Sequence, residues 1–173
     1  MSFPRRHFFP LAFWTVLSLV LGAGCANYHM GDTANLPFKS VYVAPIENAS
    51  VAPQAQAPIS TQIRTALTNA GLSLEPRGVA DAVLTVTITE YYRTGATTQS
   101  TDTMVASAYD LTIVVKATLK STDNTKTYFK DLEISTTLQI QQNSGYVQAE
   151  YQIMPLLARE VGRKVKDAVT TVW

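Results

Sequence analysis

Three stretches of this chain alternate apolar and polar side chains with a period of two, and that pattern limits the fold more than any other feature. In Ala82 to Arg93, Leu84, Val86 and Ile88 fall on one side, while Thr85, Thr87 and Thr89 fall on the other. Ala108 to Lys120 places Tyr109, Leu111, Ile113, Val115 and Leu119 together, with Thr112, Lys116, Thr118 and Lys120 opposite. Lys126 to Ile140 does the same with Tyr128, Leu132, Ile134 and Leu138. Successive side chains of a strand point to opposite faces, so each segment predicts a strand with one face to bury and one to leave wet or covered by a partner. Ser121-Thr122-Asp123-Asn124 has turn chemistry and joins the last two strands as a hairpin.

Something must cover the apolar face, and two segments have helical spacing. From about Pro58, Ile59, Ile63, Ala66, Leu67 and Ala70 recur every three or four residues, and Gly71 stands where a C-terminal cap belongs. Toward the C-terminus the stripe is Ile153, Leu157, Val161, Val165, Ala168 and Val172, with Pro155 marking either a start or a kink. Ser40 to Glu47 is a further strand, rich in Val, Tyr and Ile. Asn48 to Gln56, Thr94 to Ser107 and Gln141 to Gln148 are expected loops. The predicted fold is α+β in the order β-α-β-β-β-α. It is a two-layer domain with two helices on one face of a four-stranded mixed sheet, the first helix crossing over between the first two strands.

The N-terminus adds an address. Arg5, Arg6 and His7 precede a largely apolar run from Phe8 to Leu21, too short to span a bilayer and suited to an export signal. The run ends in Leu21-Gly22-Ala23-Gly24-Cys25, which resembles a bacterial lipobox with its leucine one step early. That resemblance implies acylation of Cys25 and cleavage before it, giving a signal peptide over residues 1–24, a lipidated tether over 25–36 and a single domain over 37–173. An ordinary secretory signal is the other reading. Pro4 to Phe9 also looks partly like a twin-arginine signal, and either route leads out of the cytoplasm. Cys25 is the only cysteine, so no disulfide staples the domain and its core must hold it.

Charge and functional groups exclude several classes. Removing Arg5 and Arg6 from 14 basic side chains, against 13 acidic, leaves the mature chain near neutrality, with no global attraction to nucleic acid. His29, on the tether, is the only histidine after the signal; no HExxH, GxxxxGK[ST] or GxGxxG run occurs. Asp131 and Glu133 are two apart on a strand, the pattern of a solvated face. Asn48-Ala49-Ser50 forms a sequon by chance. A non-catalytic binding or structural protein is expected, without metal or cofactor.

Several stretches, taken in order, resemble the LptE family of lipopolysaccharide-assembly lipoproteins. They are Gly24 to His29, Leu36 to Asn48 (LPFKSVYVAPIEN), Gln62 to Leu67, Ala80 to Leu84, Tyr109 to Thr112 and Leu157 to Glu160. The resemblance implies an outer-membrane lipoprotein on the periplasmic face, acylated with palmitate-type chains. It also implies a plug within the LptD β-barrel that assists the barrel's assembly and helps deliver lipopolysaccharide to the outer leaflet. Ala26 after the cysteine fits outer-membrane sorting. Only 16% of the chain is charged, which suits a surface set against a polar lumen. Thr85, Thr87 and Gln142 are then candidate barrel contacts. Some family members bind lipopolysaccharide through basic residues in the loop after the second strand and before the last helix. Here Thr94 to Ser107 carries only Asp102, and Gln139 to Gln148 no charge. The local candidates for lipid phosphates are Lys116, Lys120, Lys126 and Lys130, which equally serve solubility and edge protection. The rival class is another periplasmic lipoprotein, a docking or regulatory module for a secretion or cell-wall machine.

Overall fold

The computed structural model describes residues 36–98, 106–141 and 146–172. The elements run β1 (Ser40–Val43), β2 (Glu47–Asn48), a 3-10 turn (Pro53–Ala55), α1 (Gln56–Asn69), β3 (Ser73–Leu74), β4 (Ala82–Thr98), β5 (Ala106–Ser121), β6 (Thr127–Gln141) and α2 (Tyr146–Thr170). They belong to one compact unit, Thr33–Trp173. The sheet order is β3-β1-β4-β5-β6, with β2 also on β4. β1 runs parallel to β3 and β4, whereas β4, β5 and β6 form an antiparallel meander. α1 is the crossover between parallel neighbours β1 and β4, as expected, and the α+β class and mixed sheet stand.

The sheet has six strands rather than four because two short pieces join it. The expected strand Ser40 to Glu47 is divided at Pro45, which has no amide proton for the ladder. β1 and β2 both lie along β4, Val41 opposite Ala82 and Glu47 opposite Thr87. The following segment is not a plain loop. Asn48 Oδ1 accepts from the Ser50 amide and hydroxyl, its Nδ2 donates to Ala52 O, and the sequon is therefore an Asx-type turn. α1 begins two residues before Pro58, in a first turn that tolerates proline. It ends at Asn69, and Gly71, just past the cap residue Ala70, takes the left-handed conformation with φ 86°.

The alternation places side chains as read. Leu84, Val86, Ile88, Leu111, Ile113, Val115 and Leu119 are fully buried, or nearly so, against Ile59, Ile63 and Leu67 of α1 and Leu157, Val161 and Val165 of α2. Thr85 and Thr87 lie half-buried on the opposite face. Leu132 is on the core side but is 38% exposed, since β6 is the outermost strand. The β5–β6 turn keeps the expected chemistry: Asn124 adopts φ 59° and Asp123 Oδ1 accepts from the Thr125 amide and hydroxyl.

α2 departs most from expectation. It starts at Tyr146, inside the expected loop, and runs through Pro155. The proline leaves the Tyr151 carbonyl without its helical donor, at a turn where Tyr151 and Pro155 are both exposed to water. The buried stripe is also wider. Met154, Ala158 and Val169 are buried, while Ile153, Ala168 and Val172 pack only partly. Beside Val161, Gly162 meets α1 with no room to spare; a β-carbon there would sit 2.8 Å from the Gln62 carbonyl oxygen. Gly162→Ala is thus expected to force the helices apart. Its overpacking cost of ~1–3 kcal/mol outweighs the ~1 kcal/mol gain in helix propensity, seen as a lower denaturant midpoint.

A single carboxylate joins the starts of β1 and β4. Asp81 Oδ2 accepts from the Lys39 amide (2.9 Å), the Ser40 amide (3.0 Å) and the Ser40 hydroxyl (2.8 Å). The Lys39 amide bond, then the Ser40 bonds, hold its carboxyl below the usual carboxylate range. A depressed folded pKa gives stability above the unfolded pKa that is lost as pH falls through the folded value. Asp81→Asn is expected to lower the unfolding midpoint at neutral pH, and the gap from the unmutated chain should close below the carboxylate range. A gap that persists in acid would contradict this.

Candidate functional site

β4 outruns the parallel part of the sheet, and a register shift between Ile88 and Glu90 resets its facing. Beyond the bulge Tyr91 lies opposite Ile113 on the helix side, and Arg93, two residues on, shares that side. The early start of α2 lays its first turns over this extension and brings Glu150 down to it. Glu150 is only 8% exposed. Its Oε2 accepts from the Tyr91 hydroxyl at 3.2 Å, and its Oε1 forms an ion pair with Arg93 Nε. A buried carboxylate must be paired and hydrogen-bonded, and this one is both.

A cavity of about 440 Å³ opens beside the trio, lined by Gln54, Pro58, Arg93, Glu150, Tyr151, Met154 and Pro155. A second, of about 360 Å³, shares Gln54 and Arg93 and adds Val51, Tyr91 and Tyr92. Large apolar side chains stand exposed at the rim: Val51 at 84%, Tyr151 at 66% and Tyr92 at 46%. Arg93 uses Nε on Glu150, and its side chain remains half exposed. Arg93 lines both cavities. The bond to Glu150 raises the Arg93 pKa, so the guanidinium is charged at any physiological pH. Burial, then the Glu150 charge, pushes the Tyr91 hydroxyl up to about 12 and keeps it a donor. Chemically, the arrangement can hold a ligand with apolar bulk and an anionic group.

The residues proposed from sequence are placed as follows. Thr85 and Thr87 share the second sheet face, Thr87 opposite Lys116 on β5. Lys116 is exposed and also lies opposite Glu133. Lys120 is half-buried opposite Val83 and Thr127. Lys126 Nζ sits 5.0 Å from the Tyr128 ring centre, on a ring that packs edge-on against Phe38. Lys130 is exposed beside Asp131, whose φ of 50° marks a second bulge. Lys116 and Lys120, four apart on β5, share a face. Cys25 and Gln142 lie outside the described residues. Among the described residues, no cluster of three or more His, Cys, Asp or Glu can hold a metal, and no helix is long and apolar enough to cross a membrane.

Tyr91, Arg93 and Glu150 are not among the residues that the sequence reading singles out. The parity of Leu84, Val86 and Ile88 puts Arg93 on the opposite face, and only the bulge turns it toward the helices.

The fold is a two-layer α+β domain with a cavity edged by Arg93. The sequence profile of the lipopolysaccharide-assembly family LptE matches residues 38–166, and the chain belongs to that family. No curated protein sequence matches it. Its fold is similar to a minor lipoprotein from Acinetobacter baumannii, at 12% identity and a TM-score of 0.53, covering 78% of this chain and 94% of that one. It is also similar to uncharacterized lipoprotein B from Nitrosomonas europaea, at 14% identity and a TM-score of 0.52, covering 82% and 86%. At these identities the likeness is one of fold.

The trio predicts an alkaline signature. A raised folded pKa gives stability that is present below the unfolded value and lost as pH rises through the folded one. Unfolding free energy is therefore expected to fall between pH 10 and about 12, and Tyr91→Phe should flatten that limb. In Glu150→Gln the Tyr91 hydroxyl should titrate lower, though only part of the way, because burial is the larger cause. Ultraviolet titration of tyrosinate checks both.

Proposed function

We propose that this chain is a non-catalytic lipoprotein of the outer membrane's periplasmic face, anchored through acylated Cys25. There it plugs and helps assemble an LptD-like β-barrel and helps deliver lipopolysaccharide to the outer leaflet. The observation that carries the proposal is the family match over residues 38–166, which takes in nearly the whole folded domain.

The geometry supplies a way to take the lipid. Lipopolysaccharide is an amphiphile with phosphates beside its acyl chains. The cavity pairs apolar lining, from Met154, Pro155, Pro58 and Tyr151, with Arg93. A planar fork of N–H donors suits phosphate oxygens, and Glu150 already fixes its orientation. Arg93 is thus the first candidate for a phosphate contact. Lys116 and Lys120 remain a second, on the other sheet face. Thr85, Thr87 and Gln142 stay candidates for the barrel wall, which a surface of uncharged hydrogen-bonding groups fits.

Two measurements test this. Lipopolysaccharide titration at low and moderate salt is expected to lose about tenfold or more in affinity for Arg93→Gln, the worth of a charge-assisted hydrogen bond. Lys120→Glu with Lys126→Glu should change mainly the salt dependence. Equal affinity for all variants would remove the lipid-binding part of the proposal. Separately, Cys25→Ser should abolish labelling by a palmitate analogue and leave unprocessed precursor; label on the serine variant would sink the anchor.

A further inference from the structure

The sheet has two edges, and they are treated differently. At one end β3 is only two residues long. At the other, β6 spans Thr127–Gln141 and pairs with β5 alone among the described residues. Proteins guard such edges with charges, bulges or brevity. The first half of β6 carries Lys130, Asp131 and Glu133, together with the Asp131 bulge. The second half, Ile134 to Gln141, has none of these guards: it is ISTTLQIQ, with no charge, glycine or proline. Its register with β5 runs unbroken from Ala108–Gln141 to Ala117–Leu132.

One contact sets the phase of this edge. Lys164 of α2 donates its ammonium to the Ser135 carbonyl. A carbonyl reached from the helix side chain points away from β5. In an antiparallel ladder both backbone groups of a residue point the same way, and every second residue repeats it. The amides and carbonyls of Ser135, Thr137 and Gln139 therefore face outward, and among the described residues only the Ser135 carbonyl has a donor on that side.

We propose that Ile134 to Gln141 is a pairing edge for a second copy of this chain, laid antiparallel about a two-fold axis at Thr137. An isologous pairing sets each residue against its own strand, so it is stable only where no like charges meet. This stretch satisfies that: Thr137 faces its counterpart and Ser135 faces Gln139. On the helix side Ile134 meets Ile140, and the half-buried Leu138 and Ile140 gain cover. The plug role leaves this edge unexplained, because a closed barrel wall has no free strand edge to offer. Lys164 competes for the Ser135 carbonyl and limits the pairing, which makes the copy-bound and single forms exchangeable. This surface is independent of the lipid cavity.

The test uses the mature lipidated chain in detergent, with the unmutated protein as control for any thiol at Cys25. Thr137→Cys is expected to form a disulfide-linked homodimer under mild oxidation, since residues facing across a ladder hold their Cα atoms about 5.5 Å apart, within disulfide range. Thr85→Cys, on the sheet face, should stay unlinked. By light scattering, Lys164→Met should raise the dimer fraction several-fold and Thr137→Lys should abolish it. A monomeric Thr137→Cys chain, a cross-link to a different protein, or a dimer fraction indifferent to Lys164→Met and Thr137→Lys would each overturn the proposal.

Discussion

The domain depends on one contact, the seating of α2 against both α1 and the sheet. The apolar face formed by β1, β4 and β5 has no disulfide to hold its cover in place, so the two helices must hold it by packing. Gly162 lets the α2 backbone come within contact distance of the Gln62 carbonyl, so the two helices form one continuous lid rather than two separate ridges. A lid of that shape is long enough to reach past the parallel strands. Its first turns therefore overlie the extension of β4, where the Tyr91, Arg93 and Glu150 cluster forms.

That overhang explains why the cavity lies where it does. Met154 is the first residue of α2 in the apolar core, and before it Glu150 meets the strand extension through Tyr91 and Arg93. Glu150 is buried, and Tyr91 and Arg93 satisfy it from the strand. The bond to Glu150 fixes the Arg93 guanidinium beside the cavities that it lines. A binding group held by its own structural partner loses less freedom when a ligand arrives. The other sheet face has a different character. Threonines such as Thr85 and Thr87, with the Thr112 and Thr137 hydroxyls 2.8 Å apart, present hydrogen-bonding groups without net charge.

Much of the fold was legible in the period-two pattern, because burial of one face fixes strand parity and leaves little choice of register. Leu84, Ile113 and Val165 sit where their spacing put them, and Gly71 caps its helix. The misses came where a single residue yielded to its surroundings. Pro45 split a strand that propensity alone would run through. Pro155 does not start the helix, which runs through it from Tyr146 while Glu150, one turn earlier, is tied to Tyr91 and Arg93 of β4. The site was nearly illegible for the same reason. Arg93 and Glu150 stand far apart in sequence, and only the bulge near Thr89 and the early start of α2 bring them into contact. Neither feature leaves a periodic trace. Family resemblance was readable in the order of short motifs, and the Asp81 clamp gives one of them, Ala80 to Leu84, a physical role in joining two strands.

The central claim is that a domain of this family, with balanced charge and a threonine-bearing sheet face, serves inside a barrel, and one preparation tests it most directly. The unmutated lipoprotein, tagged at its C-terminus, is captured from detergent-solubilised outer membranes and its partners are quantified. The account predicts a single large β-barrel protein at one-to-one stoichiometry, retained in high salt because the contact is uncharged. Recovery without any barrel, or with a soluble periplasmic domain in its place, would contradict it.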